Sequence, residues 1–270
     1  MGGQVKDNRT ELSTDPAAAG EVPAVSLSLI IPTRNERGNV RELLSQLRDV
    51  LSGTAAEILI VDDSDDGTPE EASAAANDLG LNVRVIHRAG DERKGGLSTA
   101  VLAGIAAARG DYFCVMDADL QHPPRLVVQM LQVAREKNSD IVVASRYVKG
   151  GSDGGLSSIT RRLLSQSSRW LVTVLFFPRL RRVTDPLTGY FLVRRAVVEG
   201  VELRPIGFKI LLEILVRGRW KSSVDVPMKF EQRHAGESKA TIKQGTTFLR
   251  HAFGLFWDKR VRSLVPGGKR

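Results

Sequence analysis

The sequence predicts an α/β fold with a mostly parallel central sheet flanked by helices. Short apolar runs alternate with amphipathic segments about every 25 residues along most of the chain. The runs are apolar on both faces, which is typical of strands buried in a parallel sheet. Polar clusters follow the runs at 33–36, 62–68, 117–121 and 145–146. Because ligands of such sheets bind at the carboxyl ends of the strands, these clusters predict one shared site.

The elements follow in order along the chain. Strands are predicted at 26–31, 57–62, 82–88, 111–120, 140–147, 185–195 and 223–233, with Pro32 ending the first. Helices are predicted at 38–51, 69–80, 96–110, 124–137, 159–177 and 207–218, and a last amphipathic helix begins near Ile242. We expect residues 1–25 to be a disordered tail, since they are polar and lack periodicity.

Composition narrows the class of protein. Apolar residues make up 42% of the 270-residue chain and charged residues 26%, which is ordinary for a globular protein. The single cysteine, Cys114, fits a reducing compartment or a buried apolar position. No signal-peptide core and no apolar stretch of about 18 residues is evident.

The net charge of +8 indicates a polyanionic partner: nucleic acid, an anionic membrane or a phosphorylated substrate. Basic residues concentrate in the second half of the chain, and acidic clusters lie in the first half. A nucleic-acid binder needs no such acids, and no basic-aromatic module is present, so we expect no nucleic-acid partner.

The pair Asp117 and Asp119 ends the strongly apolar run around Cys114. If strand geometry persists, both carboxylates point to one side, and their repulsion is relieved by a cation between them. Mg²⁺ or Mn²⁺ is the expected filler, because both prefer hard oxygen ligands. The alternative is a solvated strand end.

A second acidic turn contains Asp62, Asp63, Asp65 and Asp66. It could bind a base or ribose, or it could serve only as a turn that caps the helix beginning at Pro69. Arg161 and Ser165 are four residues apart on a predicted helix, so both side chains could bind one anion. The alternative is that they form part of a solvated basic face. The loop RHAGESK at 233–239 could close as a basic lid, or be a surface turn.

The C-terminal segment 241–270 combines apolar and basic residues. Phe248, Leu249, Phe253 and Trp257 beside Arg250 and Lys259 predict a helix lying in a membrane interface. The apolar stretch 170–177 could make a second lipid contact. The alternative for each is packing against the core or another chain.

Together these segments resemble glycosyltransferase family 2, and within it the dolichol- or polyprenol-phosphate mannose synthases. The matching stretches lie between about Ser26 and Lys259 and read IIPTRNE, VDDSDDGT, DADLQHPP, SRYVKGG, RRLLSQ, DPLTGYF, GFKILLEIL and AGESK. The resemblance implies a GT-A fold over 26–240, with C-terminal amphipathic interfacial helices. It also implies an enzyme on the cytoplasmic face of a membrane, held peripherally.

The resemblance implies transfer of mannose from GDP-mannose to a polyprenyl or dolichyl monophosphate with inversion, helped by Mg²⁺ or Mn²⁺. It assigns three groups of residues: Pro32, Arg34, Glu36, Asp63, Asp117, Arg233 and Lys239 at the nucleotide sugar; Asp117, Asp119 and Gln121 at the metal; Arg146, Arg161 and Ser165 at the acceptor phosphate. Asp119, Arg146 and Lys239 are the expected catalytic residues.

Two departures leave the donor open. The acidic turn is one residue shorter than is usual in the family, and Arg34 stands where many relatives carry tyrosine. UDP-glucose therefore remains an alternative donor, and a polysaccharide an alternative acceptor. A non-catalytic membrane-associated subunit is a further alternative, which the intact Asp117, Asp119 and Gln121 disfavour.

Overall fold

The computed structural model describes residues 25–154, 159–231 and 242–258, without the side chains of residues 159–161 and 242–243. Its seven strands form one sheet of order β3-β2-β1-β4-β6-β5-β7. The strands are β1 (Leu27–Thr33), β2 (Ala56–Asp62), β3 (Val83–His87), β4 (Tyr112–Val115), β5 (Ile141–Ser145), β6 (Phe191–Arg194) and β7 (Ser223–Pro227). All neighbours pair in parallel except at β6, which runs antiparallel to both β4 and β5.

The described residues contain eight α-helices, of which the first seven lie between strands and the last follows β7: α1 (Arg37–Val50), α2 (Thr68–Leu79), α3 (Leu97–Ala107), α4 (Leu126–Glu136), α5 (Ile159–Leu175), α6 (Arg195–Val198), α7 (Ile210–Arg217) and α8 (Ile242–Trp257). Two separate apolar clusters cover the sheet. One contains α1 and α4 side chains, and the other contains α7 and α8 side chains. The predicted α/β class and mostly parallel sheet are therefore confirmed.

The strand β1 continues through Pro32, so the prediction that Pro32 ends the strand is wrong. The backbone polar groups of Thr33 point toward β2, because its carbonyl oxygen accepts the Asp63 backbone N–H at 2.9 Å. Alternation then turns Pro32 toward β4, whose pairing with β1 stops at Ile30 and Val115. The missing proline N–H consequently lies beyond the end of β4, where no ladder hydrogen bond is needed.

Candidate active site

The acidic turn 117–121 lies at the carboxyl edge of the sheet, directly beyond β4. Strand geometry ends at Val115, and Leu120 has a positive φ of 63°, so the turn curls back. Strand geometry therefore does not persist to Asp117 and Asp119, so the condition on which the strand-alternation argument depended is not met. Asp119 is buried, whereas the Asp117 side chain is 38% exposed. A curled turn, rather than an extended strand, presents these carboxylates.

Gln121 fixes this turn to the chain after β7. Its backbone N–H donates to Asp119 Oδ1 at 3.1 Å, and its side-chain Nε2 donates to the Glu231 carbonyl oxygen at 3.1 Å. The Glu231 backbone N–H returns a bond to the Gln121 carbonyl oxygen at 3.1 Å. Asp119 and Gln121 are thus held relative to each other and to the start of the segment 232–240.

His122 supports the turn from below. Its Nδ1 accepts the Asp117 backbone N–H at 3.0 Å, so the ring hydrogen sits on Nε2. The ring is buried and stacks on Tyr190 with centroids 4.9 Å apart. Burial lowers the pKa of His122 to about 4, so the imidazole is neutral near pH 7. A neutral, packed ring indicates a structural role for this histidine.

The donor set of the turn fits a hard divalent cation. Asp117, Asp119 and Gln121 offer carboxylate and amide oxygens, which Mg²⁺ and Mn²⁺ prefer. Gly189 leaves space beside the Asp117 carboxylate, because a Cβ at residue 189 would lie only 3.2 Å from Asp117 Oδ2. The described part of the chain contains no group of three or more His, Cys, Asp or Glu side chains arranged for a metal. The expected set, with two acids and one amide, does not require such a group.

The second acidic turn, at the end of β2, is tied together internally. Asp62 is fully buried and accepts hydrogen bonds from Thr33, Ser64 and His87. Burial opposes ionisation of Asp62, but these bonds prevail and lower its pKa. The Thr33 Oγ1 to Asp62 Oδ1 distance of 2.7 Å links β1 to β2 at this edge.

Both oxygens of Asp63 accept hydrogen bonds from Arg88, at 2.7 Å from Nε and 2.6 Å from Nη2. Both side chains are almost completely buried. Asp63 was expected at the nucleotide, and the structure gives it this arginine partner that sequence reasoning missed. The signal was present, since Arg88 directly follows β3 and Asp63 directly follows β2, and parallel strands end at the same edge of the sheet.

The outer acids of this turn divide by role. Asp66 accepts the Thr68 backbone N–H at 3.0 Å, so it acts at the start of α2, as one of the two interpretations predicts. Asp65 pairs with Arg93 at 2.5 Å.

The three other residues expected at the nucleotide lie at the end of β1 and in the loop that follows it. Pro32 is buried behind this edge, and Arg34 is exposed in the β1–α1 loop. The Glu36 carboxylate accepts a hydrogen bond from Asn39 Nδ2 at 2.7 Å.

The expected acceptor residues lie at the end of β5 and on α5. Arg146 makes a bidentate pair with Asp185, with its Nε and Nη2 at 2.8 and 3.0 Å from the two oxygens. The Ser165 hydroxyl lies 3.0 Å from the Tyr147 hydroxyl. Arg161 is in α5, but its side chain lies outside the described residues, as do Arg233 and Lys239 entirely. The structure therefore brings Arg146 and Ser165 to one region.

Lys209, just before α7, is a site residue that sequence reasoning did not single out. Its Nζ donates to the Leu187 carbonyl oxygen at 2.6 Å. Burial, followed by repulsion from Arg146, lowers the pKa of Lys209 to about 8, against attraction from Asp185 and Asp117. The signal was a single cation within the apolar stretch GFKILLEIL. Lys209 thus brings a positive charge close enough to Asp117, Asp185 and Arg146 to interact electrostatically with each of them.

Two helices, α5 and α8, carry exposed apolar side chains, and α5 also carries the site residue Ser165. Leu163, Leu164, Trp170 and Val174 on α5 are exposed, as are Leu249, Phe253 and Trp257 on α8. The apolar residues of α8 divide between two faces, because Phe248, Ala252 and Leu255 are buried in the core. Phe176 and Phe256 join the ends of the two helices, with ring centroids 6.3 Å apart. No helix of the described residues is long and apolar enough to cross a bilayer.

Sequence comparison gives consistent relatives. The family described as glycosyl transferase family 2 matches residues 28–201. A dolichol-phosphate mannosyltransferase of Pyrococcus furiosus is 43% identical over 243 residues, covering 89% of this chain and 67% of that protein. The dolichol-phosphate mannosyltransferase of Saccharomyces cerevisiae is 33% identical over 245 residues, covering 86% of this chain and 88% of that protein.

Solved structures share the fold at lower identity. Mannosyl-3-phosphoglycerate synthase from Rubrobacter xylanophilus has a TM-score of 0.59 and 19% identity, covering 90% of this chain and 74% of that one. Glucosyl-3-phosphoglycerate synthase from Mycobacterium tuberculosis, solved with Mn²⁺, UDP-glucose and phosphoglyceric acid, has a TM-score of 0.57 and 19% identity, covering 85% and 78%. This likeness supports the expected GT-A architecture. With the match over 28–201 and these curated relatives, the chain belongs to glycosyltransferase family 2.

Proposed function

We propose that this glycosyltransferase moves mannose from GDP-mannose to a polyprenyl or dolichyl monophosphate, with inversion and with a divalent metal. The observation that carries the proposal is the meeting of two unlike clusters at one sheet edge. An oxygen-ligand turn at 117–121 lies beside cations anchored at Arg146 and Lys209. The 43% identity to a dolichol-phosphate mannosyltransferase supports mannose as the transferred sugar and a dolichyl or polyprenyl phosphate as the acceptor.

The donor side is assigned to the ends of β1, β2 and β4. Asp117, Asp119 and Gln121 would hold Mg²⁺ or Mn²⁺, whose charge would neutralise the departing diphosphate. Gln121 would keep Asp119 oriented through its backbone N–H, and Glu231 would keep Gln121 in place. Pro32, Arg34, Glu36 and Asp63 would line the nucleotide, with Asp117 reaching the diphosphate end.

The acceptor side needs cations rather than a base. A phosphate monoester has its second pKa at about 6, so its oxygen is already a nucleophile at neutral pH. Arg146, Arg161 and Ser165 would hold this phosphate, and Arg233 and Lys239 would approach the transferring phosphates. A single in-line displacement inverts the anomeric carbon. Catalysis then consists of bringing two anions together and stabilising the leaving charge, with Asp119, Arg146 and Lys239 as its main residues.

The lipid acceptor places the enzyme at a membrane surface, held peripherally on the cytoplasmic face. The exposed apolar side chains of α5 and α8 support this, because α5 also carries Ser165 and the ends of the two helices meet at Phe176 and Phe256. Their neighbours Arg250 and Arg162 would meet anionic lipid headgroups.

The test offers GDP-mannose and UDP-glucose separately with a short polyprenyl phosphate and Mn²⁺, and measures glycosylated lipid. Product from GDP-mannose supports the proposal. Product from UDP-glucose alone overturns the donor, and no product from either favours a polysaccharide acceptor or a non-catalytic subunit. In the Asp119→Asn variant, which keeps an acceptor for Gln121 N–H, we expect loss of transfer with an unchanged circular dichroism spectrum. Full activity in Asp119→Asn would refute the metal site, and Asp49→Asn, at an exposed acid, serves as control.

A further inference from the structure

Tyr147 has no role in the proposed function, although it lies at the centre of a polar cluster that includes two of the expected acceptor residues. Its hydroxyl is 3.0 Å from Ser165 Oγ. Its ring is flanked by two guanidinium groups, with Arg169 Cζ 4.4 Å and Arg146 Cζ 5.3 Å from the ring centroid. One aromatic side chain thus contacts an expected acceptor residue, Ser165, and two arginines, of which only Arg146 has an assigned role.

Successive residues of one loop hold the two arginines. Asp185 takes Arg146 in a bidentate pair, and the Thr184 carbonyl oxygen accepts Arg169 Nη1 at 3.3 Å. Thr184 is itself fixed, because its N–H donates to Asp225 Oδ2 at 2.8 Å and its hydroxyl lies 2.6 Å from Ser145 Oγ. The loop that holds both guanidinium groups is therefore fixed by Ser145 at the end of β5 and by Asp225 within β7.

Arg169 differs from Arg146 in its charge balance. Arg146 has a carboxylate partner, whereas Arg169 contacts a carbonyl oxygen and a ring and forms no ion pair with a carboxylate of the described residues. Ser165 and Arg169 are four residues apart on α5, so they share a helix face. The next residue, Trp170, is 68% exposed and belongs to the apolar face beside the site. A cation next to an exposed apolar surface suits a phosphate that carries a hydrocarbon chain.

We propose that Arg169 binds the acceptor phosphate monoester as a second guanidinium, and that Tyr147 is the positioning residue of this subsite. The inference rests on the proposed function. When Ser165 donates its proton to a phosphate oxygen, its own oxygen must accept from Tyr147. Tyr147 then fixes the direction of the Ser165 proton and holds Arg169 on its ring face. The phosphate dianion balances the charge that Arg169 carries.

The test compares steady-state kinetics of Tyr147→Phe, Arg169→Gln and Arg169→Lys, varying lipid phosphate and nucleotide sugar separately. Loss of a charge-assisted hydrogen bond predicts a KM for lipid phosphate raised about 10-fold to 100-fold in Arg169→Gln. Loss of the neutral bond predicts about 3-fold to 10-fold in Tyr147→Phe. The KM for the nucleotide sugar should stay within about twofold of the wild type, since no donor contact is removed. Arg169→Lys should recover part of the loss.

Arg181→Gln is the matched control, because it removes the same charge from an exposed arginine near the end of α5. An equal rise of the lipid KM in Arg181→Gln would indicate general attraction to anionic lipid and overturn the proposal. A lipid KM within about twofold of the wild type in both Tyr147→Phe and Arg169→Gln would also overturn it. So would an equal rise of both substrate KM values, which indicates a structural role.

Direct binding separates this inference from the proposed function. Calorimetry with a short prenyl monophosphate measures the subsite without turnover. Weaker binding to Arg169→Gln than to Arg181→Gln supports the subsite even if neither nucleotide sugar yields product. Equal binding by these two variants refutes it, even in an enzyme that is an active mannosyltransferase.

Discussion

Glu213 offers the sharpest test of how α8 is attached to the catalytic domain. This carboxylate on α7 is fully buried. It accepts the Arg204 backbone N–H at 2.7 Å and His251 Nε2 at 2.8 Å, and Arg217 Nε lies 2.7 Å away. His251 comes from α8, so the pair joins the two helices. We expect Glu213→Gln to destabilise the protein, because it leaves buried polar partners without their negative charge.

The magnitude follows from burial. Removing one partner of a buried ion pair costs about 3–5 kcal/mol. Arg217 also pairs with Asp258, at 2.7 Å between Nη2 and Oδ2, which retains part of its compensation. We therefore expect the lower end, about 3 kcal/mol. For a protein of this size that lowers the melting temperature by about 6–12 °C.

Thermal unfolding followed by circular dichroism measures this change, with Glu202→Gln as the control. Glu202 pairs with Arg204 but is more than half exposed, so the same substitution there should cost less than about 1 kcal/mol. Equal melting temperatures of Glu213→Gln and Glu202→Gln would show that the buried pair does not stabilise the attachment of α8.

Three further predictions concern the site. In Gly189→Ala the new Cβ lies 3.2 Å from Asp117 Oδ2, so the Mn²⁺ concentration for half-maximal activity should rise about tenfold, and an unchanged metal titration would contradict this. Lys209 interacts with Asp117, the residue assigned to the diphosphate end of the nucleotide sugar. Since the pKa of Lys209 is about 8, its ammonium loses charge as pH rises through that value, and we expect the KM for the nucleotide sugar to rise above pH 8. In Lys209→Met this KM should be high and flat across the same range, and a wild-type pH profile in that variant would exclude Lys209. Arg88→Gln should destabilise by about 3 kcal/mol, because it leaves Asp63 buried without its cation, and unchanged thermal unfolding would refute that account.

Periodicity was sufficient to predict the main layers of the fold. The run at 56–62 and the helix at 37–50 lie within a residue or two of their predicted bounds. The reversed direction of β6 could not be predicted, because an apolar run four residues long carries no direction. The strand end predicted at Pro32 was wrong because a proline interrupts a strand only where its nitrogen faces a paired neighbouring strand. Which strand the nitrogen faces depends on the order of strands in the sheet, which the sequence does not show.

The acidic residues of the site could be predicted from the sequence better than the residues with which site residues form ion pairs. Asp117, Asp119 and Gln121 lie together in one short stretch of sequence, so their common turn could be anticipated. The partners come from distant segments: Arg88 is 25 residues from Asp63, and Asp185 is 39 residues from Arg146. Only the folded sheet brings such pairs into contact.

The antiparallel β6 determines when during synthesis the site can be completed. Because it runs opposite to its neighbours, the loop entering it starts at the catalytic edge and contributes Asp185, Leu187 and Gly189 there. It also fills the position between β4 and β5, so neither strand is fully paired before β6 is made. A nascent chain that ends before the loop entering β6 would contain the acidic turn but not Asp185, the partner of Arg146. Acceptor binding should therefore appear only after the ribosome has passed residue 194.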